Sequence, residues 1–243
     1  TTAIVTEAAS TATFTVVLDA QPDSDVVISV TSGDTGEATV SAANLTFTNG
    51  NWNSAQTVTV TGVDDNLVDG NINTTITMAV VDASSDDNFD DVANQTVTAT
   101  TTDNDTAGFT LSKTTATVSE GADTDTYTVV LNAQPDSDVV ISVTSADTGE
   151  VTVSAAELTF TNGNWNNAQT VTLTGVDDNV IDVDTQTTVT MAVVDASSDD
   201  KFDDLANQTV TVTTTDNDTA AFTLGAISGT VTEGGSTATF TVV

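Results

Sequence analysis

Residues 169–182 read QTVTLTGVDDNVID, and residues 56–69 read QTVTVTGVDDNLVD. In both, Val or Leu alternates with Thr up to a glycine, the two-residue period of a strand with one buried face. A run of Asp and Asn follows and ends the strand with turn chemistry. The two stretches lie about 113 residues apart, and the same shift carries Pro22 to Pro135, Trp52 to Trp165, Met78 to Met191 and Asp103 to Asp216. Glu7 recurs as Glu120 and again as Glu233. Between residues 8–106 and 121–219 roughly four positions in five are identical, without insertion or deletion. A period near 110 is far longer than a solenoid unit and suits a sandwich of about seven strands.

The rest of the chain follows the same pattern. TATFTVVL, DVVISVTS, TTITMAVV and QTVTATTT alternate Val, Ile or Phe with Thr or Ser, and no stretch carries a 3.6-residue stripe with caps. The expected fold is therefore all-β, in tandem seven-stranded sandwiches. In the middle copy strands are expected near 108–112 with 114–119 (a kinked strand A), then 125–131, 138–145, 157–161, 168–175, 187–194 and 208–215 (B to G). The expected domains are 1–106, a repeat lacking its first strand segment; 107–219, a complete repeat; and 220–243, the start of a third. A chain that opens and closes in mid-pattern reads as a window on something longer.

Composition removes many functions. The chain has 36 acidic and 2 basic residues, a formal net charge of −34, and neither Cys nor His. Two Lys cannot supply the cationic footprint of a nucleic-acid binder. Thiol nucleophiles, zinc sites, disulfides and His-based catalysis lack their residues. No apolar run approaches a membrane span. Paired carboxylates can hydrolyse glycosides, but no cleft-forming insertion accompanies them, so no enzyme is expected.

Strand parity places the acids. If seven antiparallel strands alternate up and down, the A–B, C–D and E–F loops share one pole with the end of strand G. That pole holds Glu120, Asp147, Glu150, Asp177, Asp178, Asp182, Asp184, Asp216 and Asp218 in the second copy. In the first it holds Glu7, Asp34, Glu37, Asp64, Asp65, Asp69, Asp103 and Asp105, with Asn71 in the place of Asp184. Two unit charges about 4 Å apart repel by about 4 kcal/mol at an effective dielectric near 20. Converging carboxylates must then protonate, splay apart or hold a cation. Ca²⁺ accepts 6–8 oxygens in irregular geometry, whereas Mg²⁺ dehydrates reluctantly, and a transition metal would look for His or Cys. The acids of the other pole, Asp136, Asp138, Asp199, Asp200, Asp203 and Asp204, read as a solvated face.

VSEGADTDTYTVVL, NWNNAQTVTLTGVDDNVID and the closing TVTTTDND resemble the Calx-beta domain over the whole of residues 107–219. The resemblance implies an immunoglobulin-like sandwich and Ca²⁺ ligands at Glu120, Asp177, Asp178, Asp182, Asp216 and Asp218. Asp182 stands where that family prefers Glu, and its D-Y segment before strand D is missing. It also implies a long extracellular surface protein or filament of bacterial adhesin or matrix type. Its partners would then be neighbouring repeats, copies of itself, and a glycan or surface ligand elsewhere in the full protein. An alternative is adhesion to glycan or ice by Thr-rich strand faces. Trp52 and Trp165 are expected to plug the sandwich end rather than to stack on sugars, and Phe89 and Phe202 to anchor the F–G loop.

Overall fold

The computed structural model describes residues 2–243. The first repeat holds β1 (Thr2–Thr6), β2 (Thr11–Val16), β3 (Val26–Ser32), β4 (Ala38–Val40), β5 (Asn44–Phe47), β6 (Gln56–Gly62), β7 (Ile72–Val80) and β8 (Gln95–Thr102). The second holds β9 (Phe109–Leu111), β10 (Thr115–Ser119), β11 (Thr124–Leu131), β12 (Val139–Ser145) and β13 (Val151–Val153). It continues with β14 (Glu157–Phe160), β15 (Gln169–Gly175), β16 (Thr185–Val193) and β17 (Gln208–Thr215).

Each repeat is a sandwich. A five-stranded sheet ordered β1-β8-β7-β3-β5 packs on β2-β6-β4, and β10-β17-β16-β12-β14 packs on β13-β15-β11-β9. The alternation in the sequence is the reason. In β6, Val58 and Val60 are fully buried while Thr57 and Thr59 point outward. Phe47, Ile76 and Val30 fill one core, and Phe160, Tyr127, Leu173 and Met191 fill the other. Each such side chain contributes about 1.5–3 kcal/mol by leaving water.

Two features go beyond the sequence expectation. The kinked strand A divides between the sheets, with β9 on one and β10 on the other. An extra strand, β4 or β13, pairs three residues with the end of β6 or β15, a length too short to register as a period. Trp52 and Trp165 lie half-buried against the cores, and their carbonyls accept the amides of Leu18 and Leu131 at 3.2 Å. Phe202 is fully buried and Phe89 half-buried. Asp199, expected on a solvated face, is buried, as is its counterpart Asp86. Asp199 accepts the amides of Asp136 (2.8 Å), Ser137 (3.0 Å) and Lys201 (3.0 Å) and so pins two loops together.

Two contacts set the site. β1 and β10 run parallel to β8 and β17, with Thr6 opposite Thr102 and Ser119 opposite Thr215. Glu7 and Glu120 therefore emerge beside Asp103 and Asp216. The ends of β6 and β15 crowd the same strands: a Cβ on Gly62 would stand 2.2 Å from the Thr6 carbonyl oxygen, and one on Gly175 2.1 Å from that of Ser119. Only glycine permits this approach, and it brings the following acids to the pole.

The first E–F loop also reaches the second repeat. The Gln134 amide donates to the Asn66 carbonyl at 2.7 Å, the Val68 amide donates to the Gln134 carbonyl at 3.4 Å, and Val68 packs on the second core. Residues 220–243 form only isolated bridges, Leu224 with Val242 and Ser228 with Thr239.

Candidate metal centre

At the first pole Glu7 is 1 % exposed. Carboxylate oxygens of Glu7, Asp69 and Asp103 lie within 4.8 Å of one another, as do those of Glu7, Asp65 and Asp105 and those of Glu37, Asp65 and Asp69. At the second pole, where Glu120 is 3 % exposed, the same holds for Glu120, Asp178 and Asp218 and for Glu120, Asp182 and Asp216.

Backbone amides hold the loops in this arrangement. Asp103 accepts from Gly70 and from Asp105, each at 2.7 Å, and Asp65 from Leu67 at 2.7 Å. Asp216 accepts from Asp218 at 2.7 Å and from Asp182 at 3.1 Å, and Asp178 from Val180 at 2.6 Å. The Asn104 amide donates to Glu7 Oε2 at 3.1 Å. Both oxygens of Asp103 and of Asp216 are held in this way, while oxygens of their neighbours are left without partners. Asp69 Oδ1, Asp105 Oδ2, Glu120 Oε2 and Asp218 Oδ2 are buried with no hydrogen-bond partner in the protein.

Burial pushes the Glu7 carboxyl up to about 7; the Asn104 amide opposes this, and Asp103, Asp65 and Asp69 add to it. Glu37, Asp69, Asp105, Glu120, Glu150 and Asp218 are likewise raised, each first by burial and then by neighbouring carboxylates. The poles thus concentrate negative charge that the fold alone does not neutralise. Orphaned anionic oxygens so close together are a donor set for a metal ion, and they meet the chemical requirement of the cation expected from the sequence.

All the acids gathered at the poles except Glu37 and Glu150 are expected as metal ligands, and ten of these fifteen are in the groups: Glu7, Asp65, Asp69, Asp103, Asp105, Glu120, Asp178, Asp182, Asp216 and Asp218. The other five lie outside them. Asp34 and Asp147 turn back to accept the amides of Gly36 and Gly149, each at 2.9 Å. Asp64 and Asp177 take the side-chain amides of Asn104 (3.1 Å) and Asn217 (3.4 Å), and Asp184 is exposed. Glu37 joins a group although the sequence pointed to it only as a resident of the pole. Its place follows from β4, whose first residue pairs with Gly62 and sets Glu37 beside the E–F loop.

The two poles differ. Asp65 and Asp69 are half-buried, whereas their counterparts Asp178 and Asp182 are exposed. The first E–F loop rests on Gln134, and Asp69 faces Lys201 across the junction, where Lys201 bonds Asp136 at 2.7 Å. No helix among the described residues is long and apolar enough to cross a membrane.

No protein-family model matches the sequence, and no curated protein matches it. Among solved structures the chain is similar to the S-layer protein SbsC domains 4 and 5, at 17% identity and a TM-score of 0.38, over 77% of this chain and 70% of that one. It is similar to CBD12 from CALX1.2 at 11% identity and a TM-score of 0.34, over 87% and 96% of the two chains. It is also similar to the periplasmic chaperone SfaE at 11% identity and a TM-score of 0.35, over 45% of this chain and 58% of that one.

Proposed function

We infer that this chain is a non-enzymatic structural repeat region of a long extracellular surface protein or filament, and that Ca²⁺ at the poles stiffens the junctions between repeats. The supporting observation is a single loop with two attachments. Asp65 and Asp69 belong to the carboxylate groups of the first pole, while Asn66 and Val68, between them, hydrogen-bond Gln134 of the next repeat. A cation that draws the two acids inward fixes the residues that seat the neighbour. Without it the acids repel one another, the loop loosens and the seat goes with it. Ca²⁺ fits better than Mg²⁺ because the donors are many, anionic and irregularly placed. The test is small-angle scattering of the chain in Ca²⁺ and in EGTA, with melting followed on the same samples. A longer, stiffer and higher-melting particle in Ca²⁺ is expected; identical scattering curves refute the reading.

One observation favours adhesion as a second reading. Thr13 opposite Thr59, with Thr15 opposite Thr57, forms an outward Thr ladder, repeated by Thr126 with Thr172 and Thr128 with Thr170. Binding to glycan arrays or to ice, lost when Thr59 and Thr172 become Val, would support it.

A further inference from the structure

The chain has two lysines, and one of them stands at the junction between the repeats. Lys201 lies in the F–G loop of the second repeat. Its backbone amide donates to Asp199 Oδ1 at 3.0 Å, and the amide of Asp136 donates to Asp199 Oδ2 at 2.8 Å. The buried Asp199 thus sets Lys201 and Asp136 side by side, and their side chains join at 2.7 Å. Gln134, two residues before Asp136, is the residue that the first repeat grips. Its amide donates to the Asn66 carbonyl at 2.7 Å, and its carbonyl accepts the Val68 amide at 3.4 Å. Asp69 follows Val68 directly. One short path therefore runs from the acids of the first pole, through Gln134 and Asp136, to an ammonium.

Asp69 and Lys201 act on each other across this junction. Burial raises the Asp69 carboxyl, Asp65 and Asp103 raise it further, and Lys201 pulls it back. Burial works against the Lys201 ammonium, but its bond to Asp136 and the charges of Asp136, Asp199 and Asp69 outweigh this and hold it above the ordinary lysine range. The two acids differ in their need of a counter-charge. The Asp136 side chain is 56% exposed and solvated, whereas Asp69 is half-buried and its Oδ1 has no hydrogen-bond partner in the protein. Water screens a charge at the first far more than at the second. In the first repeat the position of Lys201 is taken by Asn88, whose side chain turns to Asp86 at 2.8 Å. The cation therefore belongs to this junction and not to the repeat pattern.

We propose that Lys201 is a built-in cation of the junction: it pairs across the repeats with the carboxylates of the first E–F loop, Asp69 foremost, and holds that loop on Gln134 when no metal is bound. The pairing stands on its own; its hand-over to metal rests on the calcium reading. Ca²⁺ and the ammonium address the same carboxylate, so once the ion is bound the pole no longer needs the lysine, which keeps only Asp136. The junction is then held in two ways, by Lys201 at low ionic strength and by Ca²⁺. The repeat that follows decides whether the first way operates. One with Lys at this position supplies it, and one with Asn, as at Asn88, depends on metal alone. Because an ion pair near the surface carries the first way, salt weakens it.

The test uses the full chain, which has no Cys. Spin labels go on cysteines introduced by Thr39→Cys and Thr152→Cys, exposed and equivalent positions on β4 and β13, and the spread of distances between them reports the junction. Lys201→Asn copies the residue that the first repeat carries in the same loop, so the fold tolerates it. In EGTA at about 0.01 M ionic strength, where the Debye length is about 30 Å, this variant is expected to broaden the distribution. Lys201→Arg, which keeps the charge, is expected to leave it as narrow as in the wild type. At about 1 M, with a Debye length of about 3 Å, wild type and Lys201→Asn are expected to coincide. They are expected to coincide in Ca²⁺ as well, so that Ca²⁺ narrows the variant more than the wild type. Lys113→Gln removes the other lysine, which pairs with Asp125 inside the second repeat, and is expected to change none of this. A Lys201→Asn distribution no broader than the wild type's in EGTA at low salt, a broadening that survives at 1 M, or a broad Lys201→Arg distribution overturns the proposal. If Ca²⁺ narrows the wild type yet leaves the gap to the variant open, the hand-over to metal is overturned. If wild type and variant differ in EGTA and Ca²⁺ alters neither, the tether is supported and the calcium reading is refuted.

Discussion

Replacing Glu7 by Gln separates the cost of the buried charge from its use. The Glu7 carboxyl is raised from 4.5 to about 7, so ionising it in the folded protein costs about 3 kcal/mol. Asp64 and Asn104 are exposed beside it and admit solvent that screens part of this. About 2–3 kcal/mol remains as the working figure. A carboxyl raised by folding contributes its full stability below about pH 4.5 and loses it as the pH climbs through 7. In EGTA, Glu7→Gln is therefore expected to match the wild type at pH 4 and to exceed it by about 2–3 kcal/mol at pH 8. The amide keeps an oxygen for the Asn104 N–H, so the hydrogen bond survives. In Ca²⁺ the advantage shrinks. A ligand present at a hundredfold its dissociation constant adds about 2.7 kcal/mol to the wild type, and a tenfold weaker site in the variant forfeits about 1.4 kcal/mol of that. Urea unfolding followed by Trp fluorescence measures both terms. With Trp165 changed to Phe, Trp52 reports on the first repeat alone. A variant no more stable than the wild type at pH 8 in EGTA, or one whose gain from Ca²⁺ is undiminished, refutes the account of the pole.

Further outcomes follow from the geometry. Because Glu7 is half-protonated near pH 7 without metal, Ca²⁺ binding should release protons there and weaken as the pH falls; calorimetry in buffers of different ionisation heat measures this. Asp199→Ala strips the part-buried amides of Asp136, Ser137 and Lys201 of their acceptor and should cost about 1–3 kcal/mol in urea unfolding. Burial pushes the Asp199 carboxyl up, but those amides and the Lys201 charge hold it lower than usual, so its contribution stands at neutral pH and is lost as the pH falls through the acid range, visible as an acid-unfolding midpoint shifted by Asp199→Asn. Gly175→Ala drives a methyl into the Ser119 carbonyl and should cost about 3 kcal/mol while weakening Ca²⁺ binding at the second pole, since β10 must move and carry Glu120 with it. Gln134→Pro removes the amide that donates to Asn66 and should broaden the distance distribution in scattering, even in Ca²⁺, while leaving the melting of each repeat nearly unchanged.

Strand period and strand parity were enough to locate the pole. Val58 and Val60 announce the inner face of β6, and counting strands places Glu7, Asp65 and Asp103 at one end whatever the details of each loop. Parity carries no information inside a loop, and the departures arise there. Asp34 was expected to point at the pole, but the D-T-G turn gives its carboxylate a nearer partner in the Gly36 amide. Asp86 and Asp199 sit among acids that look alike in sequence, and only the folded loop turns one of them inward onto three amides. Glu37, already placed at the first pole, joins a carboxylate group there because β4, three residues long, fastens its neighbour to Gly62.

The contrast between the poles was illegible for a deeper reason: the residues are nearly the same. Both DDNLVD and DDNVID bring their acids to a cluster after the same glycine, but the first holds them half-buried and the second leaves them exposed. The difference is what lies beyond them. The first loop rests on Gln134 and faces Lys201, the second has Val180 and Ile181 in solvent, and Asp69 is half-buried where Asp182 is exposed. The acids of the first pole are half-buried where the following repeat docks, and under the proposed function linkage makes the coupling reciprocal: a cation that favours that arrangement of the loop favours the docked neighbour by the same factor. In a string of such repeats each junction would bind Ca²⁺ more tightly than a free end. Under the proposed function, stiffness would then spread along such a string from its docked junctions.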